Sequence, residues 1–289
     1  MPTNIGLGSA QFGLDYGVSN HSGEVSKEEV KRILKTAQLQ GVNFIDTAVG
    51  YGTAEQKLGA YNLNNFKIIT KSAPIKNQSN DTWFSLKDIR NSIKRLSIRK
   101  LYGFLVHNVN CLAETNSQKI YKDMQYAKEN GLIEKFGYSV YYPEDLDKFF
   151  EKFPPDIVQL PANIFDQRFN RSGWLKKLED QGVEIHIRSV FLQGLLLQSN
   201  QDYHPYFNLF KPALDKWQTH WQHHYKSPLE ACLAPFSNLP SCYSLIVGVE
   251  TAIQLNSILE SINKHYGYVD TEEFEVFDPR LIDPSLWHI

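Results

Sequence analysis

Apolar residues recur at helical spacing near the start of the chain and then form one short continuous run. The residues at helical spacing are Val30, Ile33, Leu34 and Ala37. Ser26 and Glu29 have the spacing of a capping box, and Gly41 is typical of a helix end. The apolar run 42–46 is too short for a helix and fits a buried strand. The sequence therefore predicts a unit of helix, glycine and strand.

The same unit recurs along the chain, with Gly131 and Gly182 in the position of Gly41. The predicted strands are 5–7, 42–46, 67–70, 101–107, 133–139, 156–160, 183–187 and 243–247. The other predicted helices are 53–60, 86–96, 121–130, 144–150, 174–181, 228–236 and 252–262. About eight strands alternate with helices and no long linker divides them. We therefore predict a single α/β domain over residues 1–289 that closes as a parallel (β/α)8 TIM barrel.

Two features leave alternatives open. An open doubly wound sheet competes with the barrel, but its GxGxxG fingerprint is missing, because Gly6 and Gly8 are followed by 9–11 without a further glycine. The segment 198–226 is long, irregular and rich in Tyr, Phe, His and Trp. It either shapes the mouth of a substrate site or packs over the barrel for stability.

Composition and charge argue against several classes of partner. The chain has 42% hydrophobic and 21% charged residues, which is typical of a globular protein. A formal charge of -2 provides no basic surface for nucleic acid or for an anionic membrane. We recognise neither a secretion signal nor a membrane span in the sequence, and we expect a soluble cytoplasmic protein.

Neither the cysteines nor the clustered histidines predict a metal site. The three cysteines are Cys111, Cys232 and Cys242. They lack CxxC spacing, which fits apolar packing in a reducing compartment. The spacing of His220, His223 and His224 would put two imidazoles on one helical face, but no carboxylate or thiolate lies at a matching interval.

Polar side chains stand at the ends of three consecutive predicted strands. Asp46 ends the second strand, Lys71 follows the third and His107 ends the fourth, while Tyr51 lies in the loop beyond Asp46. A polar group at the end of an apolar run is costly to bury, and barrel enzymes collect such groups at the carboxyl ends of their strands. We therefore expect these four side chains to converge on one site.

The four residue types fit the reduction of a carbonyl group by a hydride. The alkoxide that forms needs a proton, which the phenol of Tyr51 would supply. Lys71 would lower the pKa of Tyr51 from about 10, and Asp46 would compensate for the burial of Lys71. A neutral His107 would donate a hydrogen bond to the carbonyl oxygen. An alternative role for Lys71 is a Schiff base in a barrel isomerase or lyase.

A specific motif begins at Asp46. It reads DTA at 46–48, YG at 51–52, E at 55 and LG at 58–59. This motif resembles the signature of the aldo-keto reductases, and Lys71 and His107 match the other members of that family's tetrad. Further matches are GYS at 137–139, Gln159 with Asn163, RS at 188–189, QGLL at 193–196, GVET at 248–251 and QL at 254–255. The resemblance covers nearly the whole chain and implies catalysis by Asp46, Tyr51, Lys71 and His107 with NADPH or NADH.

The resemblance also implies a cofactor site. In that family, the residues matching Ser139 and Gln159 bind the nicotinamide carboxamide, and the residue matching Arg188 is often an aromatic that stacks on the ring. Arg188 is a departure, although a planar guanidinium can also stack on a π face. The other residues that the resemblance assigns to the cofactor are Ser189, Gln193, Gly194, Leu195, Gly248, Glu250, Thr251 and Gln254.

Glu250 is a second departure, because the family commonly has an arginine there for the cofactor's 2′-phosphate. A carboxylate would repel that phosphate and accept a hydrogen bond from a free ribose hydroxyl. A family asparagine that contacts adenine is replaced by Ile258. Either use of NADH or weak cofactor binding would follow.

The leading hypothesis is an enzyme that reduces a small-molecule aldehyde or ketone. The segment 188–194 resembles bacterial members associated with sugar and surface-glycan pathways, which suggests a sugar-derived substrate. The alternative is a regulatory module that binds the cofactor on the same fold, and the intact tetrad favours the enzyme. The sequence does not predict the oligomeric state.

Overall fold

The computed structural model describes residues 5–73, 86–113, 117–199, 202–264, 266 and 269–289. Their strands form a closed parallel barrel in which each strand pairs with the next and β1 pairs with β8. The strands are β1 Ile5–Gly8, β2 Phe44–Asp46, β3 Lys67–Lys71, β4 Leu101–Val106, β5 Ile133–Ser139, β6 Ile157–Pro161, β7 Glu184–Arg188 and β8 Tyr243–Gly248. The predicted (β/α)8 barrel is confirmed.

Helices cover the outside of the barrel between the strands. They are α1 Lys27–Leu39, α2 Ala54–Gly59, α3 Leu86–Arg95, α4 Ser117–Glu129, α5 Pro143–Phe149, α6 Arg168–Arg171, α7 Trp174–Asp180, α8 Lys211–His224, α9 Pro228–Leu233, α10 Ala252–Ile262 and α11 Pro279–Ile282. The main hydrophobic core lies between strands and helices, where apolar side chains from both are buried together.

The capping box predicted at α1 is only half formed. Ser26 Oγ accepts a hydrogen bond from the backbone N–H of Glu29 at 3.2 Å, as the box requires. The Glu29 carboxylate instead accepts a hydrogen bond from the backbone N–H of Ala252 at 2.8 Å. Because Ala252 begins α10, Glu29 links the first helix to α10 near the place where β1 meets β8.

The segment 198–226 is not irregular, contrary to the prediction. Its described residues include a 3-10 helix, Pro205–Phe210, followed by α8. Leu214 and Trp217 are buried in a second hydrophobic cluster, and the indole N–H of Trp217 donates to the carbonyl oxygen of Leu196 at 3.1 Å. The many polar side chains between these apolar positions obscure the helical periodicity in the sequence.

Polar side chains also meet at the amino-terminal end of the barrel. The hydroxyl of Tyr102 donates to Glu184 at 2.6 Å and so links β4 to β7, which are not neighbours in the barrel. His186 is 1% exposed, and its ring packs edge-on against Phe44 with centroids 5.6 Å apart. Burial lowers the pKa of His186 to about 4, so this imidazole is neutral at pH 7.

Among the described helices, none combines the length and the apolar character needed to cross a membrane. The same part of the chain contains no group of three or more His, Cys, Asp or Glu side chains arranged to hold a metal ion. The rings of His220 and His224 lie 4.7 Å apart on α8. Cys111 and Cys232 are buried, and Cys242 is partly exposed.

Candidate active site

Three strand ends and one turn bring the four predicted side chains together at the carboxyl face of the barrel. Asp46 is the last residue of β2, Lys71 is the last residue of β3, and His107 directly follows β4. Tyr51 lies in the turn that leads into α2. The four groups are therefore collected from neighbouring strands, as the carboxyl ends of a parallel barrel allow.

The turn that presents Tyr51 depends on a close approach of two backbone segments. Gly52 has a φ of +53°, and a Cβ atom at this position would lie 2.1 Å from the carbonyl oxygen of Gly13. A Cβ atom on Gly13 would in turn lie 2.0 Å from the carbonyl oxygen of Tyr51. Both positions therefore require glycine, which gives the YG pair of the motif a physical reason.

Lys71 and Asp46 form a buried ion pair. Their side chains are 1% and 4% exposed, and the Nζ atom of Lys71 donates to Asp46 Oδ1. Lys71 Nζ also donates to the carbonyl oxygen of Thr47 at 3.3 Å and to the hydroxyl of Tyr51 at 3.4 Å. Gln159 Nε2 donates to the second carboxylate oxygen of Asp46 at 2.9 Å. Both charged groups thus have the hydrogen bonds that a buried ion pair requires.

The phenol of Tyr51 is held in its protonated form. Burial raises the pKa of Tyr51, the charge of Asp46 raises it further, and the charge of Arg188 opposes both. The prediction that Lys71 gives Tyr51 a lowered pKa is wrong for this arrangement, because burial, and after it the charge of Asp46, raises that pKa. Burial also lowers the pKa of Lys71, and Asp46 opposes that effect.

His107 stands beside Tyr51 with the two rings edge-on, their centroids 6.0 Å apart and their planes at 87°. Burial, and after it the charge of Lys71, lowers the pKa of His107 to about 4. The backbone N–H of His107 donates to Ser72 Oγ at 3.1 Å, which fixes the residue at the end of β4. A neutral imidazole in this position has an N–H to donate to a carbonyl oxygen.

Glu55, the acidic residue of the motif, holds the end of β3 in place. Its carboxylate is buried, accepts a hydrogen bond from the hydroxyl of Thr70 at 2.7 Å and pairs with Arg95. Thr70 directly precedes Lys71. Glu55 therefore positions the backbone that carries Lys71 rather than entering the site itself.

A cavity of about 720 Å³ opens beside these residues. Of the residues expected to bind a cofactor, those that line it are Ser139, Gln159, Arg188, Ser189, Gln193, Gly194, Gly248, Glu250 and Gln254. Thr251 does not line it, and Leu195 is buried in the second hydrophobic cluster. The described residues of 198–226 are also absent from the lining, which favours packing over the barrel as the role of that segment.

The start of α10 is capped without the side chain of Glu250. Thr251 Oγ1 accepts a hydrogen bond from the backbone N–H of Gln254 at 3.1 Å. The Gln254 side chain accepts bonds from the backbone N–H groups of Glu250, at 2.7 Å, and Thr251, at 3.1 Å. Ala252 donates to Glu29 as described above. Thr251 and Gln254 thus form a capping box, while the partly buried carboxylate of Glu250, whose pKa burial raises, lines the cavity.

Two tyrosines of the cavity were missed by sequence reasoning. The guanidinium of Arg188 lies over the ring of Tyr141, 4.2 Å from its centroid. Tyr16 also lines the cavity. Tyr141 lies two residues beyond Ser139, so continuing the alternation of β5 past its end would have placed both on one face. Tyr16 lies in a loop and has no comparable signal.

Known proteins resemble this chain at low sequence identity. The uncharacterized oxidoreductase YqkF of Bacillus subtilis (strain 168) is 22% identical over 212 residues, which cover 69% of this chain. The chain spans 64% of the length of that curated relative. The aldo-keto reductase AKR11C1 of Bacillus halodurans, in its holo form, matches with a TM-score of 0.73 and 16% identity, over 94% of this chain and 90% of that one. A protein of Pseudomonas aeruginosa named as a candidate aldo-keto reductase matches with a TM-score of 0.65 and 22% identity over 90% of each chain.

At these identities the solved structures establish the shared fold. The sequence pattern of the Aldo/keto reductase family matches residues 4–278, a range that contains all eight strands and the four converging side chains. The match supports the interpretation of this chain as an oxidoreductase. The chain therefore belongs to the aldo/keto reductase family.

Proposed function

We propose that this chain reduces an aldehyde or a ketone to an alcohol with NADPH or NADH, and that Tyr51 donates the proton. The observation that carries the proposal is the position of the Tyr51 hydroxyl, 3.4 Å from Lys71 Nζ and beside a neutral His107 on the wall of the cavity. Membership of the family supports a small-molecule carbonyl compound as the substrate.

The residues of the cavity fit a nicotinamide cofactor. The volume of the cavity lies within the range of roughly 300 to 1,000 Å³ that is usual for pockets that bind small molecules. Ser139 and Gln159 would hold the carboxamide, and the loop from Ser189 to Gly194, with Gly248 and Glu250, would hold the rest of the molecule. The bound cofactor would supply the hydride.

Each of the four converging side chains then has a separate task. The neutral imidazole of His107 donates a hydrogen bond to the carbonyl oxygen and polarises it. Tyr51, protonated because it is buried, transfers its proton to that oxygen as negative charge develops there. The phenolate that remains lies next to the ammonium group of Lys71, which stabilises it. Asp46 holds Lys71 in position for this task.

The same contacts disfavour a Schiff base on Lys71. Its Nζ atom is already bonded to Asp46, its side chain is 1% exposed, and Lys71 does not line the cavity. An amine that forms an imine must reach the substrate carbonyl with a free lone pair. We therefore expect no adduct on Lys71 after borohydride treatment in the presence of a carbonyl substrate.

The decisive variant is Tyr51→Phe, which removes the hydroxyl and keeps the ring. Turnover should fall roughly 10²- to 10⁴-fold, and the affinity for NADPH and NADH, measured by fluorescence titration, should stay the same. The matched control is Tyr141→Phe, which removes another hydroxyl from the cavity wall and should change turnover only a few fold. Full activity of Tyr51→Phe would contradict the proposal. A wild-type chain that binds a cofactor but reduces no aldehyde or ketone would instead be the cofactor-binding regulatory module.

A further inference from the structure

Arg188 is the only lysine or arginine among the described residues that line the cavity. The acidic residues of the lining are Asp46, Glu250 and Glu260. Asp46 is neutralised by Lys71, and His107 carries no charge at pH 7 because its pKa is about 4. Glu250 precedes α10 and Glu260 lies on it, and neither pairs with Arg188 among the described residues, so Arg188 is the one positive charge of this lining that no carboxylate neutralises.

The contacts of Arg188 leave its charge without a counter-ion in the described part of the chain. Its Nη2 atom donates to the carbonyl oxygen of Val140 at 3.2 Å, and its Nη1 atom donates to Ser189 Oγ at 3.3 Å. Both acceptors are neutral. Asp166, whose pKa burial raises, is already paired with Arg168 through two bonds of 2.8 Å.

The guanidinium of Arg188 is also held in a fixed orientation. Tyr141 covers one of its faces at 4.2 Å, and the bond to Val140 holds one edge. A guanidinium has five N–H donors, and these contacts use two of them. A partly buried cation without a counter-ion is costly to maintain, whereas a fixed guanidinium fork matches the two oxygens of a carboxylate and binds them with little further loss of entropy.

We propose that Arg188 recognises an anionic group on the substrate, so that the preferred substrates are aldehydes or ketones that carry a carboxylate. The inference rests on the proposed function, since His107 and Tyr51 would bind the carbonyl end of the molecule while Arg188 binds its charged end. The diphosphate of the cofactor is another source of the same negative charge. The experiment must therefore separate the substrate from the cofactor.

Binding to a complex with oxidised cofactor tests the proposal without any hydride transfer. The probes are 4-carboxybenzaldehyde and 4-nitrobenzaldehyde, which have similar planar shapes but differ in charge. We expect the wild type to bind the carboxylate at least about 10-fold more tightly, as is usual for a charged hydrogen bond, and Arg188→Met to lose this preference. Arg188→Lys should keep part of it. Arg171→Met, which changes an exposed arginine outside the cavity, should keep all of it.

The proposal would be overturned if the wild type bound both aldehydes with equal affinity, or if it bound neither of them. So would a preference that survives in Arg188→Met. If Arg188→Met loses affinity for NADPH and NADH and its affinities for the two aldehydes change equally, Arg188 binds the cofactor diphosphate, which also overturns the proposal. If the wild type binds the carboxylate selectively but never reduces it, this inference stands and the proposed function fails. If the wild type reduces both aldehydes with equal kcat/KM, the proposed function stands and this inference fails.

Discussion

Replacing Lys71 with methionine should leave Asp46 as a buried carboxylate without a counter-ion. The two side chains have similar length, and the flexible methionine would keep most of the packing while removing the charge and the N–H donors. Among the described side chains, Gln159 would then be the remaining donor to Asp46, through its bond of 2.9 Å. The change therefore isolates the electrostatic part of the arrangement.

The expected loss is large because the pair is buried. Removing one partner of a buried ion pair costs about 3 to 5 kcal/mol. For 289 residues, an unfolding entropy of about 2.1 cal/mol/K per residue gives about 0.6 kcal/mol/K in total. The free energy loss then corresponds to a fall in Tm of about 5 to 8 °C. Turnover should fall as well, because the phenolate of Tyr51 would lose its neighbouring cation.

Scanning calorimetry of the wild type and two variants measures this effect. The control is Lys100→Met, the same substitution in an ion pair with Glu134 whose side chains are 56% and 44% exposed. Exposed pairs contribute only about 0 to 1 kcal/mol, so the Tm of this variant should change by less than about 2 °C. The double variant with Asp46→Asn should recover part of the stability lost in Lys71→Met, because a neutral amide needs no counter-ion. A Lys71→Met variant as stable as Lys100→Met would refute the reasoning.

The remaining predictions concern the cofactor and the response to pH. Glu250→Arg should shift the ratio of NADPH to NADH affinity toward NADPH by about 1 to 3 kcal/mol, because a forked donor would replace a carboxylate that repels phosphate. Titration of both cofactors checks this, and an unchanged ratio would mean that Glu250 does not face the ribose. His186 has a pKa of about 4 in the folded chain against a usual 6.5, so its contribution to stability is complete above pH 6.5 and is lost as the pH falls toward 4. Between pH 8 and pH 5 that loss is about 2 kcal/mol, and urea titrations of His186→Leu should lack it. A variant with the same pH dependence as the wild type would show that His186 is not the group responsible.

Much of the fold could be predicted because local signals agree with the final packing. β5 and α10 begin and end at the predicted residues, since an apolar run or a helical period, together with its turn signals, defines each of them. α8 was missed because polar residues interrupt its apolar face, and its burial depends on Phe165 and other residues far away in sequence. The periodicity of apolar residues in a short stretch of sequence does not predict contacts with residues far away in the chain.

The candidate site was also only partly predictable from the sequence. The order of strands is enough to bring Asp46, Lys71 and His107 together, because parallel strands in a barrel share one carboxyl face. The hydrogen bond from Gln159 to Asp46 could not be predicted, because it joins β6 to β2 across the barrel. The raised pKa of Tyr51 was also hidden from the sequence, because it depends on how deeply the phenol is buried and on the nearby charge of Asp46.

The closure of the barrel between β1 and β8 has a consequence for the order in which the protein is made. The ribosome completes β2, β3 and β4, with their polar ends, long before it reaches the cavity wall around Gly248. Ile5 pairs with Leu245, so the edge of β1 stays open until nearly the whole chain has been synthesised. An exposed strand edge can pair with another chain, and large domains are prone to such errors while they fold. Fragments that end between β7 and β8 should therefore aggregate through β1, even though they already contain every residue of the tetrad.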